Sequence, residues 1–338
     1  MADHSGLELK HDDWDEIRPG HDYSSTITNP EDYTFGVEIE LVATPKTVYD
    51  SSNSNDFLNA DVGYWRRRLA DRMNKKRGLH AVTSRRPRDY DRWYIMNDAS
   101  LRFQPRNYQV ALEAVSPKMF QFQELKKQID FFWEAAMELF DIEANTSCGT
   151  HIHVAPYDHN YTLEELRRLA YAVATQEKFV LQILPQERID NDYCRPCSFR
   201  SEELRLDLEE GQEGDIEHPS SYVAERLEKM RNKSELIDYM QLNNRYVLWN
   251  FKNTQSQSGT VEFRGGRHMR GPVRTKKWIA FTVAFVTKAI RDNHMYARTT
   301  DSDINEWWQS IRFCAIDLRM DEFLPGSCEN VMSLDDLI

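Results

Sequence analysis

This 338-residue chain has no surplus of positive charge, no long apolar run and no cysteine framework, and each lack closes off a class of function. Its 43 basic residues are outnumbered by 55 acidic ones, for a net charge of -12. Nucleic acids and anionic membrane surfaces are held by a positive field, so neither is expected as a partner. A membrane-spanning helix needs about 20 apolar residues in a row, and no stretch comes near that. Met1–Glu16 is acidic and polar, without the apolar region of a secretory signal. Five cysteines, an odd number in a long chain, do not form a disulfide framework, and Cys194-Arg-Pro-Cys197 lacks the second pair of a zinc finger. A soluble cytoplasmic protein with free thiols is the expectation.

Apolar residues at 40% suffice for a core in one large domain or two modest ones. There is no internal repeat. Residues 1–32 lack periodicity and read as a flexible acidic lead-in. A strand is expected over about Thr34–Val42, a polar loop over Asp50–Asn59, and an amphipathic helix over Val62–Lys76, where Trp65, Leu69 and Met73 share a face. Short strands follow at His80–Thr83, Arg92–Met96 and Tyr108–Val115, then a helix over Phe120–Phe140. Thr162 with Glu165 is a capping-box signature for a helix that Pro185 closes. Glu187–Lys233 reads as an irregular insertion or lid. A short helix from Ser234, strands at Tyr246–Asn250 and Thr260–Arg264, and an apolar helix from Pro272 to Ile290 complete a catalytic domain over 33–292. A last helix near Ile304–Ile316 and an acidic tail occupy 293–338. Antiparallel strands with helices on one side make the fold α+β.

Three segments share one pattern: Gly36-Val37-Glu38-Ile39-Glu40, Gly149-Thr150-His151-Ile152-His153 and Gly259-Thr260-Val261-Glu262-Phe263-Arg264. In each, two charged or metal-coordinating side chains stand two positions apart around a β-branched or aromatic residue. On a strand, residues i and i+2 share a face. One sheet would therefore gather Glu38, Glu40, His151, His153, Glu262 and Arg264 on a single polar face. Uncompensated buried carboxylates are costly, and a divalent cation is the usual remedy. The carboxylate-rich set, with Glu113 added, favours Mg²⁺ or Mn²⁺ over Zn²⁺. Arg264 suits a phosphate oxygen or a charge that develops during reaction.

Each motif has a plainer reading. Glu-x-Glu on a strand is most often a solvated face, and Glu262-x-Arg264 alone is a salt bridge worth about 0–1 kcal/mol. Asn97-Asp98-Ala-Ser100 reads as a hairpin turn. The basic run that includes Arg66, Arg67, Arg68, Arg85 and Arg86 reads as a solvated helix face and loop, or as the place where a polyanion such as ATP meets the protein. A metal-dependent hydrolase, with His151, His153 and carboxylates on zinc, is the rival activity.

With these residues assembled, the chain resembles the amidoligase family, a branch of the carboxylate–amine ligases related to glutamine synthetase. The likeness runs from about Thr34 to Ile290 through Phe35-Gly-Val-Glu-Ile-Glu40, then Trp93…Asp98-Ala-Ser-Leu101…Leu112-Glu113…Ser116-Pro117, then Asn145-Thr-Ser-Cys-Gly-Thr-His-Ile-His153, then Arg245…Gly259-Thr-Val-Glu-Phe-Arg264. Ala99 departs from the pattern, where a glycine is expected after the aspartate. The resemblance implies a glutamine-synthetase-like curved antiparallel sheet with helices outside. It implies divalent ions on Glu38, Glu40, Glu113, His151 and Glu262, and His153 near the phosphates of ATP. Arg264 and Arg245 would contact the transferred phosphoryl group or a substrate carboxylate. The implied reaction joins a small-molecule or peptide carboxylate to an amine through an acyl phosphate.

Overall fold

The computed structural model describes residues 33–46, 62–76, 78–83, 89–98, 100–104, 108–120, 122–213, 221–291 and 303–328. The expected lead-in, the Asp50–Asn59 loop, Arg85, Arg86, Ala99 and the acidic tail lie outside them. The described residues hold eight strands: β1 (Tyr33–Pro45), β2 (Ala81–Thr83), β3 (Trp93–Met96), β4 (Val110–Val115), β5 (Phe140–Ile142), β6 (Gly149–Pro156), β7 (Trp249–Asn250) and β8 (Val261–Arg267). They form one sheet in the order β2-β3-β4-β1-β6-β8-β7, with β5 also paired to β1. Every pairing is antiparallel except β2 with β3, which is parallel and corrects the expectation of a wholly antiparallel sheet.

Alternation along β1 divides the two faces. Phe35, Val37, Ile39 and Leu41 are buried in the main core, while Gly36, Glu38 and Glu40 turn the other way. The helices cover the apolar face: α1 (Val62–Asn74), α2 (Phe122–Leu139), α3 (Leu163–Gln182) and α9 (Pro272–Arg291). Trp65, Leu69 and Met73 are all buried, as their spacing requires. Trp93 on β3 stacks on Phe132 of α2 at 4.6 Å, and Phe263 on β8 stacks on Trp278 of α9 at 5.8 Å. Helix α9 is buried nearly all round because α2, α3 and α10 (Ile304–Asp317) also pack on it. The expected capping box opens α3: Glu165 N donates to Thr162 Oγ1 at 3.2 Å, and Thr162 N to Glu165 Oε2 at 2.7 Å.

Glu187–Lys233 differs from the expected irregular stretch. It holds α4 (Gln186–Ile189, beginning just before it), α5 (Cys197–Arg200), α6 (Glu202–Glu213) and α7 (Ser221–Lys229), and leads into α8 (Lys233–Gln241). Cys197, Leu204, Val223 and Leu227 bury its inner side, and buried Glu177 of α3 accepts from Cys197 N at 2.7 Å, which caps the start of α5. All five cysteines are free and buried. No helix among the described residues is long and apolar enough to cross a membrane.

The β6–β8 ladder shifts register between Thr150 and Ile152, so Arg264 and Gly265 together face one residue, His151. The bulge needs two glycines. A Cβ on Gly265 would lie 2.4 Å from the Phe263 ring, and one on Gly266 would lie 2.5 Å from the Thr150 carbonyl oxygen. Because that second neighbour is backbone, Gly266→Ala is expected to cost about 2–3 kcal/mol, read as a lowered urea midpoint at unchanged slope. An unchanged midpoint would show that the ladder absorbs the methyl group.

Candidate active site

Strand register decides which polar side chains meet. Glu40 pairs with Glu113 across β1 and β4, Glu38 with His151 across β1 and β6, and His153 with Glu262 across β6 and β8. Asn250 on β7 then pairs with Glu262. The result is a polar surface across five neighbouring strands, on the face away from α1, α2, α3 and α9, at the floor of a cleft of about 1360 Å³. All eight residues singled out from the sequence line it: Glu38, Glu40, Glu113, His151, His153, Arg245, Glu262 and Arg264.

The centre is tight. His151 Nδ1 lies 3.2 Å from Glu38 Oε2 and 3.6 Å from Glu262 Oε1, and one ring nitrogen cannot satisfy both. Glu38, His151 and Glu262 each offer a ligand atom within 4.8 Å of the others, a spacing that suits one cation. His153 Nδ1 is 3.1 Å from Thr260 Oγ1. Its Nε2 is 3.2 Å from Glu38 Oε1 but off the line of a hydrogen bond, which leaves a buried nitrogen unpartnered. Glu40 lies further out, 3.8 Å from His151 Nε2, and accepts from Gly149 N.

Burial works to raise the Glu38 carboxyl, yet His153 and His151 outweigh it and hold the group well below the usual carboxylate value. Glu262 follows the same logic, with burial overcome chiefly by Arg264. His153 is the counterpart: burial would lower its imidazole, but Glu38 raises it. Glu113 goes the other way. Burial, then the charges of Glu38, Glu40 and Asp98, push its carboxyl up to about 9 against a smaller pull from Arg245. Glu38, Glu262 and Glu113, on one face, thus ionise unequally, as crowded negative charge requires. Added positive charge would let them ionise together, and this donor set, rich in oxygen with one or two imidazoles, fits a divalent cation.

Supporting residues were missed in the sequence. Glu262 is held by Arg264 Nη1 at 2.5 Å, Asn250 Nδ2 at 2.8 Å and Asn253 Nδ2 at 3.0 Å. Asn250 Oδ1 in turn accepts from Gln241 Nε2 at 2.9 Å. Arg264 Nε donates to the Tyr193 carbonyl at 3.0 Å, and Arg188 Nη2 to the Arg264 carbonyl at 2.6 Å. Arg245 stands apart from the cluster at the cleft mouth, exposed, with its guanidinium over the Tyr246 ring at 5.3 Å. Asp98 lines the cleft and also accepts from Ser100 N at 2.7 Å, so the turn and the site share it.

A comparison with curated proteins found no match. The family described as "Putative amidoligase enzyme" matches over residues 31–286, about three quarters of the chain, and takes in every residue of the cluster. By that match the protein belongs to the amidoligase family of ligase-type enzymes.

Proposed function

We propose that this protein is an ATP- and Mg²⁺-dependent (or Mn²⁺-dependent) carboxylate–amine ligase that forms an amide or peptide bond through an acyl phosphate. The observation that carries the proposal is the convergence of Glu38, His151 and Glu262 within 4.8 Å, at the floor of a cleft roomy enough for a nucleotide and two substrates. Its open, mostly antiparallel sheet suits the glutamine-synthetase-like type of catalytic domain. Glu38, Glu40, Glu113, His151 and Glu262 would hold the divalent ions, which when bound spread the negative charge of the phosphates.

The substrate carboxylate oxygen attacks the γ-phosphorus, and the bond to the ADP oxygen breaks with its electron pair leaving on ADP. The amine nitrogen then attacks the acyl carbon, the carbon–oxygen bond to phosphate breaks, and the amine proton leaves with solvent. Phosphoryl transfer of this kind needs positioning and charge neutralisation more than covalent help. Arg264, fixed by Glu262 and by Tyr193, would neutralise the transferred group, with His153 beside the nucleotide phosphates. Arg245, exposed at the mouth, would meet a phosphate or a substrate carboxylate. Glu187, Arg188 and Asp190–Tyr193 line the cleft, so the segment they begin would cover the substrates.

The test is thermal unfolding of the metal-stripped protein with Mg²⁺, ATP, both together, and Zn²⁺ alone. A ligand confined to the native state adds roughly 2.7 kcal/mol at a hundred times its dissociation constant. The expected result is a shift that requires Mg²⁺ and ATP together. A response to Zn²⁺ with none to ATP would overturn the ligase and put a zinc hydrolase built on His151 and His153 in its place.

A further inference from the structure

Arg188 on α4 is the most deeply buried arginine at the cleft, with 2% of its surface exposed. Among the described residues its side chain makes one hydrogen bond, from Nη2 to the Arg264 carbonyl at 2.6 Å, and its buried Nε has no partner. Among the described residues no carboxylate lies within ion-pair distance of it. The other guanidiniums here are accounted for. Arg264 is paired with Glu262, Arg267 Nη2 with Glu187 at 3.1 Å, and Arg102 and Arg245 are exposed to water. A guanidinium withdrawn from water without a counter-charge weakens the fold, so a compensating anion belongs beside it.

The position says where that anion would sit. The point at which a Cβ would stand on Gly149 is 3.1 Å from Arg188 Nη2 and 3.2 Å from His151 Nε2. A Cβ there would be crowded by both, so the glycine lets the guanidinium and the ligand cluster close on the one cleft that both line, and the same glycine's N–H donates to Glu40. We infer that Arg188 is an anion-binding residue that grips a tetrahedral or planar oxyanion lying against the carboxylate–histidine cluster. The planar fork of arginine suits both shapes. Only the anion's identity rests on the ligase reading: it is the transferred phosphoryl group, or else the carboxylate of the acid substrate.

Two variants and two simple probes test this. Metal-stripped wild type, Arg188→Met and Arg188→Lys are unfolded thermally at constant ionic strength, with inorganic phosphate or with acetate. Wild type is expected to be stabilised by phosphate, Arg188→Met to bind it at least tenfold more weakly, and Arg188→Lys to recover part of the loss. Stabilisation by acetate alone, lost in Arg188→Met, would support the site and assign it to the carboxylate. Without ligand, Arg188→Met is expected to melt no lower than wild type, since an uncompensated buried charge has gone. A lower melting point with unchanged anion affinity would make Arg188 a strut between α4 and β8 and overturn the proposal. So would equal responses in wild type and Arg188→Met, or no response to either anion; if Arg188→Met does not fold, the Arg188→Lys comparison decides by the same criterion. Failure of the ligase reading looks different, because there wild type itself ignores Mg²⁺ with ATP.

Discussion

Replacing Glu262 with glutamine is expected to weaken Mg²⁺ binding at least about a hundredfold, beyond the 10–100-fold typical of losing an outer-shell partner. Glu262 is where the site's constraints meet: Oε1 faces Arg264 and His151, while Oε2 accepts from Asn250 and Asn253. With both asparagines donating to one oxygen, the amide nitrogen of glutamine must take the other position. There it faces the Arg264 guanidinium, so two donors oppose each other and a ligand atom is lost. Breaking a buried ion pair costs about 3–5 kcal/mol when the partner charge is left bare. Glutamine keeps the volume and one acceptor, and a cost of about 2 kcal/mol is expected. Titration calorimetry with Mg²⁺, beside urea unfolding of the metal-free variant, separates the two effects. An unchanged Mg²⁺ affinity in a folded Glu262→Gln protein would remove Glu262 from the metal site.

The cluster itself was legible because i, i+2 spacing survives into any strand, whatever its neighbours. Glu38, His151 and Glu262 therefore met as expected, and the apolar residues between them faced the helices. Asn250 was not legible: it holds Glu262 only through the β7–β8 register, which no local pattern encodes. The expected strand Tyr246–Asn250 shrank to two residues: the Leu248 carbonyl still accepts from Arg264 N of β8 at 2.8 Å, but Leu248 N turns to the Arg195 carbonyl and gives β8 no second bond there. Phe140 continued the apolar rhythm of α2, yet it begins β5 and pairs with Pro45. The helices of Glu187–Lys233 are short and highly charged, so their few buried residues gave little periodicity. Arg188 looked like one more charge in that segment. Its burial depends on Gly149 and Arg264, distant in sequence and brought close only by the sheet.

Glu113 gives the metal-free protein a pH dependence whose sign is fixed by its neighbours. Its carboxyl rises from an ordinary value of 4.5 to about 9, through burial first and then Glu38, Glu40 and Asp98. A group raised on folding contributes its stability in full below the unfolded value and loses it as pH climbs to the folded one. The loss therefore spans about pH 4.5 to 9, at up to about 1.4 kcal/mol per pH unit. His153, also raised, adds to the fall above its ordinary 6.5, whereas Glu38 and Glu262, both lowered, withdraw stability as pH drops below 4.5. Maximum stability of the metal-free protein is thus expected near pH 5. Glu113→Gln removes the first of these losses while keeping a neutral side chain opposite Glu40. By urea unfolding, the variant is expected to match wild type at pH 5 and to exceed it by about 3 kcal/mol at pH 8. An equal difference at both pH values would show that Glu113 does not titrate between them. Saturating Mg²⁺ should erase the contrast, because a cation in the cluster favours the ionised carboxylate and releases its proton. A contrast that survives Mg²⁺ would place Glu113 outside the ion's reach, on the same sheet but not among its ligands.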